Sequence, residues 1–175
     1  SHLRREAEDN LLRISQYDFL TGLPNRQLLQ QQLDQILDGA GRQQRRVAVL
    51  CLGLDDFKGI NEQYTYQLGD QLLIEAAARL KSCVRQGDTV ARLGGDEFVV
   101  ILEDLPADES AVLQSENIAG KIRVGLGRPY SLKVAIEGLE MNEQDQYCTS
   151  SIGITLFRDR SISVDELMKR ADTAM

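Results

Sequence analysis

Arg92-Leu-Gly-Gly-Asp-Glu-Phe98 sets two glycines and two carboxylates side by side between apolar runs. Upstream, Asp88-Thr-Val-Ala-Arg-Leu93 alternates as a half-buried strand does, and downstream Phe98-Val-Val-Ile-Leu102 is a continuous apolar strand. Gly94 to Glu97 therefore reads as the turn of a β-hairpin. Two glycines permit positive φ and leave no Cβ in the way of a flat ligand lying on the backbone. Asp96 and Glu97 share the tip, where they repel each other unless a cation lies between them. The turn reads either as a nucleotide site or as a hairpin whose polar tip is only solvated.

Around this hairpin the chain alternates helical and extended patterns. Residues 3–14 are charged with a thin apolar stripe, either a linker helix arriving from an upstream domain or a solvated terminal helix. Residues 25–37 put Leu29, Leu33, Ile36 and Leu37 on one helical face, and Gly39-Ala-Gly41 is expected to end that helix. Arg42, Arg45 and Arg46 follow as a solvated basic group. Residues 47–54 form a short apolar, β-branched run with the character of a central strand. Asp70 is expected to cap a helix whose Leu72, Leu73, Ala76, Leu80 and Val84 face the core. Residues 108–126 read as another helix, and 132–136 and 149–157 as strands joined by an acidic loop at 137–146. Ser163-Val-Asp-Glu166 is a capping box that opens a last helix. The mixture suits an α/β (α+β) fold: a central, mainly antiparallel sheet flanked by helices.

Composition narrows the chemistry. The 175 residues suffice for one domain with a core, and 42% hydrophobic with 27% charged residues is a soluble globular balance. No apolar stretch is long enough to cross a bilayer, and the polar start is not a signal peptide. A net charge of −7 argues against a non-specific nucleic-acid partner, although a nucleotide can bind through backbone amides and a metal. Cys51, Cys83 and Cys148 form no CxxC pair, which fits a reduced, cytoplasmic setting. The single histidine, His2, excludes a Ser-His-Asp triad, a Cys-His pair and an ordinary zinc site. Carboxylate-and-metal chemistry is what remains.

The chain resembles the GGDEF family of bacterial diguanylate cyclases, which join two GTP molecules into cyclic di-GMP. Beyond the hairpin the resemblance runs through Asp18-Phe-Leu-Thr-Gly-Leu-Pro-Asn-Arg26, Asp55-Asp-Phe-Lys-Gly-Ile-Asn61, Leu68-Gly-Asp70, Ser151-Ile-Gly153 and Lys169-Arg-Ala-Asp-Thr-Ala-Met175. It implies a palm-like fold, with 1–16 as a linker helix and 17–175 as a GGDEF domain whose C-terminal end is truncated. The family's next segment, whose basic residues touch the triphosphate, would follow Met175. Arg128-Pro-Tyr130 and Ala171-Asp-Thr-Ala-Met175 look like GGDEF domains joined to a downstream EAL phosphodiesterase domain. An upstream sensory domain is the expected other neighbour.

The resemblance also implies roles for single residues. Asp96 matches the hairpin metal ligand. Glu97 matches a catalytic neighbour that assists metal binding or deprotonation of the attacking 3′-hydroxyl, with Mg²⁺ or Mn²⁺ as the cofactor. Substrate binding falls to Asn61 and Asp70 at the guanine edge, with Gly94, Gly95, Phe57 and Lys58 around the nucleotide. Without the resemblance, Asn61 and Asp70 read as a turn residue and a helix cap. The Leu54 backbone is a further expected metal contact.

Two departures stand out. Gly53-Leu-Asp-Asp-Phe-Lys58 has glycine where the family carries its first metal-ligand aspartate. Asp55 is the remaining candidate metal ligand, roughly 6–7 Å further along the same face of an extended strand. Asn61-Glu-Gln-Tyr-Thr-Tyr66 replaces the family's Asn-Asp-x-x-Gly-His.

Arg85-Gln-Gly-Asp88 stands five residues before the glycine pair, the spacing of the family's inhibitory cyclic di-GMP site. Its plainer reading is a helix-end arginine followed by a Gly-Asp turn. Three functions follow from the resemblance: a module that binds GTP or cyclic di-GMP without efficient synthesis, an active cyclase working as a homodimer of two facing domains, or a ligand-free dimerising unit.

Overall fold

In the computed structural model the described residues are all but 64–65, 137–139, 160–162, 164, 167 and 170–175; side chains at 61–63, 66–67, 134–136 and 140–144 are likewise outside the description. The elements run α1 (His2–Gln16), α2 (Arg26–Gln43), β1 (Arg46–Leu54), α3 (Phe57–Gln63), α4 (Tyr66–Cys83), β2 (Thr89–Gly94), β3 (Glu97–Leu105), α5 (Ser110–Gly127), β4 (Tyr130–Ile136), β5 (Glu140–Gln146) and β6 (Ser150–Phe157).

The apolar run at 47–54 is the interior strand its composition suggests. Four strands form one sheet in the order β2-β3-β1-β6, with β1 antiparallel to both β3 and β6. Because side chains alternate along a strand, β1 feeds two cores. Ala48, Leu50, Leu52 and Leu54 pack with Leu72 and Leu80 of α4 and Ile122 of α5 on one face. Val47, Val49 and Cys51 pack with Leu29, Leu33 and Leu37 of α2 on the other. Both faces are buried, so β1 shows no polar alternation.

Three local expectations need correction. The helix from Asn25 does not stop at Gly39-Ala-Gly41 but continues to Gln43. Burial of Ala40 offsets the roughly 1 kcal/mol that each helical glycine costs, and the helix ends at Gln44 in the left-handed region at φ 53°. Asp70 caps nothing: α4 begins at Tyr66, and the buried Leu68 extends its apolar face toward the N-terminus. The expected acidic loop contains a strand, since β5 pairs antiparallel with β4 from Tyr130↔Gln146 to Ile136↔Glu140 as a separate two-stranded ribbon. Its polar sequence carries no apolar period to announce it. Of the final helix, the Ser163 hydroxyl accepts from the Glu166 amide at 3.2 Å, as a capping box requires, whereas 170–175 lie outside the described residues.

Candidate functional site

The β2–β3 hairpin forms as its sequence suggests, with Gly94 paired to Glu97 across a turn of Gly95 and Asp96. Gly94 at φ 146° and Gly95 at φ 50° occupy backbone regions that side-chain-bearing residues resist. Antiparallel pairing brings the end of β1 to this turn. Gly53 lies opposite Glu97 on β3 and opposite Ser151 on β6, and the Leu54 amide donates to the Asp96 carbonyl at 3.3 Å. Gly53, Leu54, Asp96 and Glu97 are thus neighbours through backbone register alone.

Asp55 is held elsewhere. Its Oδ2 accepts from the Thr149 hydroxyl at 2.6 Å and its Oδ1 from the Ser151 hydroxyl at 2.7 Å. Its amide donates to the Thr149 carbonyl at 2.8 Å. The next residue, Asp56, turns the chain at φ 58° into α3. Both oxygens of Asp55 are engaged, and Gly53 offers none. Among the described residues no group of three or more His, Cys, Asp or Glu side chains is arranged to hold a metal ion. A hard divalent cation needs a nearly complete oxygen shell, so the side chains here do not fit a two-ion centre.

Buried under this end of the sheet is Cys148, whose thiol contacts the Asp55 carbonyl at 3.2 Å. Burial first, then the charges of Asp55, Asp96 and Asp56, push that thiol up to about 11. It is a protonated structural cysteine. Cys51, Cys83 and Cys148 form no disulfide.

The other expected substrate residues are distributed unevenly. Phe57 is 8% exposed and belongs to the core. Lys58 and Asp70 are exposed, on α3 and α4 respectively. Asn61 sits on α3, and its side chain lies outside the described residues.

Arg85 and Asp88 do come together. Asp88 Oδ2 accepts from the Arg85 amide at 3.0 Å and from Arg85 Nε at 3.3 Å, while Arg85 Nη2 donates to the Glu103 carbonyl at 3.0 Å. The Asp88 side chain is 1% exposed and that of Arg85 is 55% exposed, so the guanidinium is the solvent-facing member of the pair. They line a cleft of ≈ 460 Å³ with Arg45, Glu103 and Asp104. Burial first, then the charges of Asp88 and Asp104, raise the Glu103 carboxyl above its ordinary value.

Sequence reading assigned no role to Arg92 or Asp18. Arg92 Nη1 donates to both Asp18 oxygens at 2.9 and 3.1 Å, and its Nε and Nη2 donate to the Gly95 carbonyl at 3.1 and 2.9 Å. Asp18 also accepts from the Thr21 hydroxyl and amide at 2.6 and 2.9 Å. Burial pushes the Asp18 carboxyl up, but the Thr21 hydrogen bonds and the Arg92 guanidinium outweigh it and leave the carboxyl lowered. An arginine before a glycine pair and an aspartate followed three residues later by threonine were the available signals. Their pairing was not, because 74 residues separate them.

The family profile described as diguanylate cyclase, GGDEF domain, matches residues 15–175. MucR of Pseudomonas aeruginosa, a bifunctional diguanylate cyclase/cyclic di-GMP phosphodiesterase, is 40% identical over 169 residues, covering 97% of this chain and 23% of MucR. The chain thus spans about a quarter of that relative. A sensory box/GGDEF family protein from Caulobacter crescentus superposes with a TM-score of 0.76 at 37% identity, over 91% of this chain and 94% of that one. The coiled coil and GGDEF domain of DgcB from the same organism, solved in complex with c-di-GMP, superposes with a TM-score of 0.78 at 26% identity, over 99% and 85% of the two chains. The sheet and its helices are those of the palm-like GGDEF domains.

Proposed function

The chain belongs to the GGDEF family of cyclic di-GMP signalling, and on that premise we propose that it is a nucleotide-binding module that recognises GTP or cyclic di-GMP but synthesises little cyclic di-GMP. The observation that carries this reading is Gly53, which leaves no carboxylate at the row facing Glu97, while the nearest substitute, Asp55, is tied by both oxygens to Thr149 and Ser151. The family uses divalent metal ions, and losing one charged ligand of a catalytic ion costs orders of magnitude in rate. GTP would rest on the Gly94–Gly95 backbone, with Asn61 and Asp70 at the guanine edge and Lys58 near the phosphates. Cyclic di-GMP would be met by Arg85, held in place by Asp88.

The intact Gly94-Gly95-Asp96-Glu97 turn favours the second reading, an active cyclase. That activity would need two GTP-loaded domains face to face. Incubation with GTP and Mg²⁺ or Mn²⁺, followed by HPLC of the products, separates the two readings. Turnover at about 1 s⁻¹ or faster, ordinary for an enzyme, overturns the module reading.

A further inference from the structure

We propose that the end of the sheet remote from the glycine turn binds a phosphate group, held between the guanidinium groups of Arg46 and Arg158. The sequence sets Arg42, Arg45 and Arg46 together, but the fold gives them different surroundings. Arg42 is exposed in the last turn of α2, whereas Arg46 opens β1 and is partly buried. β6 ends at Phe157, which pairs with Val47. Carried one residue further, that antiparallel register sets Arg46 opposite Arg158. Two cations facing each other across strand ends repel unless an anion lies between them.

Among the described residues neither arginine takes part in an ion pair, and Arg46 Nε is buried with no hydrogen-bond acceptor. A shielded donor without an acceptor is an exception in folded proteins, and a bound ion is one recognised cause. Arg46 and Arg158 line a cleft of ≈ 260 Å³ together with Arg45 and Asp159. Arg45 is already paired with Asp104 at 3.4 Å. Setting that pair aside leaves two arginines against one carboxylate, a local positive excess in a chain whose net charge is −7. The volume lies below the range that encloses a drug-sized ligand, so the cleft suits a phosphate group and not a whole nucleotide. Guanidinium forks match phosphate oxygens in pairs, and a small rotation of Arg46 would bring Nε to one of them. β1 is nine residues long, so the cleft lies roughly 25 Å along the strand from the glycine turn. It is independent of the nucleotide reading of that turn.

Titration of the ¹⁵N-labelled chain with inorganic phosphate at constant ionic strength tests this. Phenyl phosphate in parallel tells a free anion from a monoester whose body stays outside the cleft. The Arg46 Nε–H resonance and the amides of Arg46 and Arg158 should shift saturably with either probe, at a Kd of about 1 mM or tighter. The probe with the lower Kd identifies the source. Arg46→Gln and Arg158→Gln should each weaken binding at least about tenfold. Arg158 is exposed, so its variant tests the cleft even where Arg46→Gln fails to fold. Arg42→Gln removes the same charge outside the cleft and should leave the Kd within about twofold. No saturation up to about 20 mM, or equal weakening in Arg42→Gln, overturns the proposal. So do shifts centred on Arg85, which would put the anion in the neighbouring cleft that Arg45 also lines.

Discussion

Asp55 and Ser151 are joined across the β1–β6 pair by a hydrogen bond of 2.7 Å, from the serine hydroxyl to one carboxylate oxygen, in the row where Gly53 contributes no side chain. Thr149 takes the other oxygen, so Asp55 would have to break two charge-assisted hydrogen bonds to reach a cation beside Asp96. Restoring synthesis is therefore expected from Gly53→Asp and not from any rearrangement of Asp55. Cyclic di-GMP formation from GTP and Mg²⁺ should rise at least about hundredfold in Gly53→Asp, in line with the cost of a missing metal ligand. HPLC of timed reactions measures it, and equal rates in the two proteins would remove Gly53 as the cause of low activity.

GTP should be preferred over ATP. Asn61 and Asp70 would be left with mismatched partners against adenine, a loss of roughly 1–3 kcal/mol for each unsatisfied buried group. Asp70 is exposed and would lose water only on being covered by a base, so the penalty would appear on binding. Calorimetric titration with both nucleotides decides the point, and equal affinities would withdraw guanine recognition.

Arg85→Ala should weaken cyclic di-GMP binding at least tenfold, whereas Asp96→Ala should leave it nearly unchanged. The guanidinium is the exposed partner, and Asp88 is buried beneath it on hydrogen bonds from the Arg85 amide and side chain. That anchoring lowers the ordering cost of binding. No saturable binding up to about 100 μM, near −5.5 kcal/mol, would return the pair to the roles of a helix-end charge and a turn residue.

Legibility followed burial and sequence distance. Residues 47–54 and 98–102 were readable as strands because both faces of the sheet are covered, and the glycine pair marked the turn through its φ requirements. β5 was not readable, since Glu140-Met-Asn-Glu-Gln-Asp-Gln146 pairs through its backbone with no apolar face to announce it. Gly39 and Gly41 misled because Ala40 between them is packed, and tertiary burial outweighs local propensity. Arg85 and Asp88, three residues apart, could be read together. Arg92 with Asp18, and Asp55 with Thr149 and Ser151, could not, because strand pairing and chain reversal create those contacts.

Arg79→Ala should destabilise the fold by about 3 kcal/mol, the range for losing several hydrogen bonds from one charged group. Its Nη1 donates to the Gly125 and Arg128 carbonyls at 3.0 and 2.8 Å, and its Nη2 to the Pro129 carbonyl at 2.7 Å. These bonds close the end of α5 and fix the entry to β4. Arg79→Lys should recover less than half of the loss, because an ammonium cannot span three carbonyls in one plane. Urea unfolding of the three proteins tests this, and a lysine variant as stable as the unmodified chain would refute the fork argument.

The same arginine lies over the ring of Tyr130, 3.8 Å from its centroid, and sets up a pH dependence. Burial pushes the Tyr130 phenol up from its ordinary value of 10.0 to about 12, against the opposing charge of Arg79. The folded chain therefore favours the neutral phenol. Its contribution to stability is fully present below about pH 10, where the phenol of the unfolded chain is also protonated, and is lost as pH rises toward 12. Cys148, pushed up to about 11 by burial, titrates in an overlapping range, so the informative quantity is the difference between two proteins. Tyr130→Phe keeps the ring beneath Arg79 and removes the ionising group. Urea midpoints measured between pH 9 and 11.5 should fall more steeply for the unmodified chain than for Tyr130→Phe. Parallel curves would mean that Tyr130 ionises without cost to the fold, which its full burial forbids.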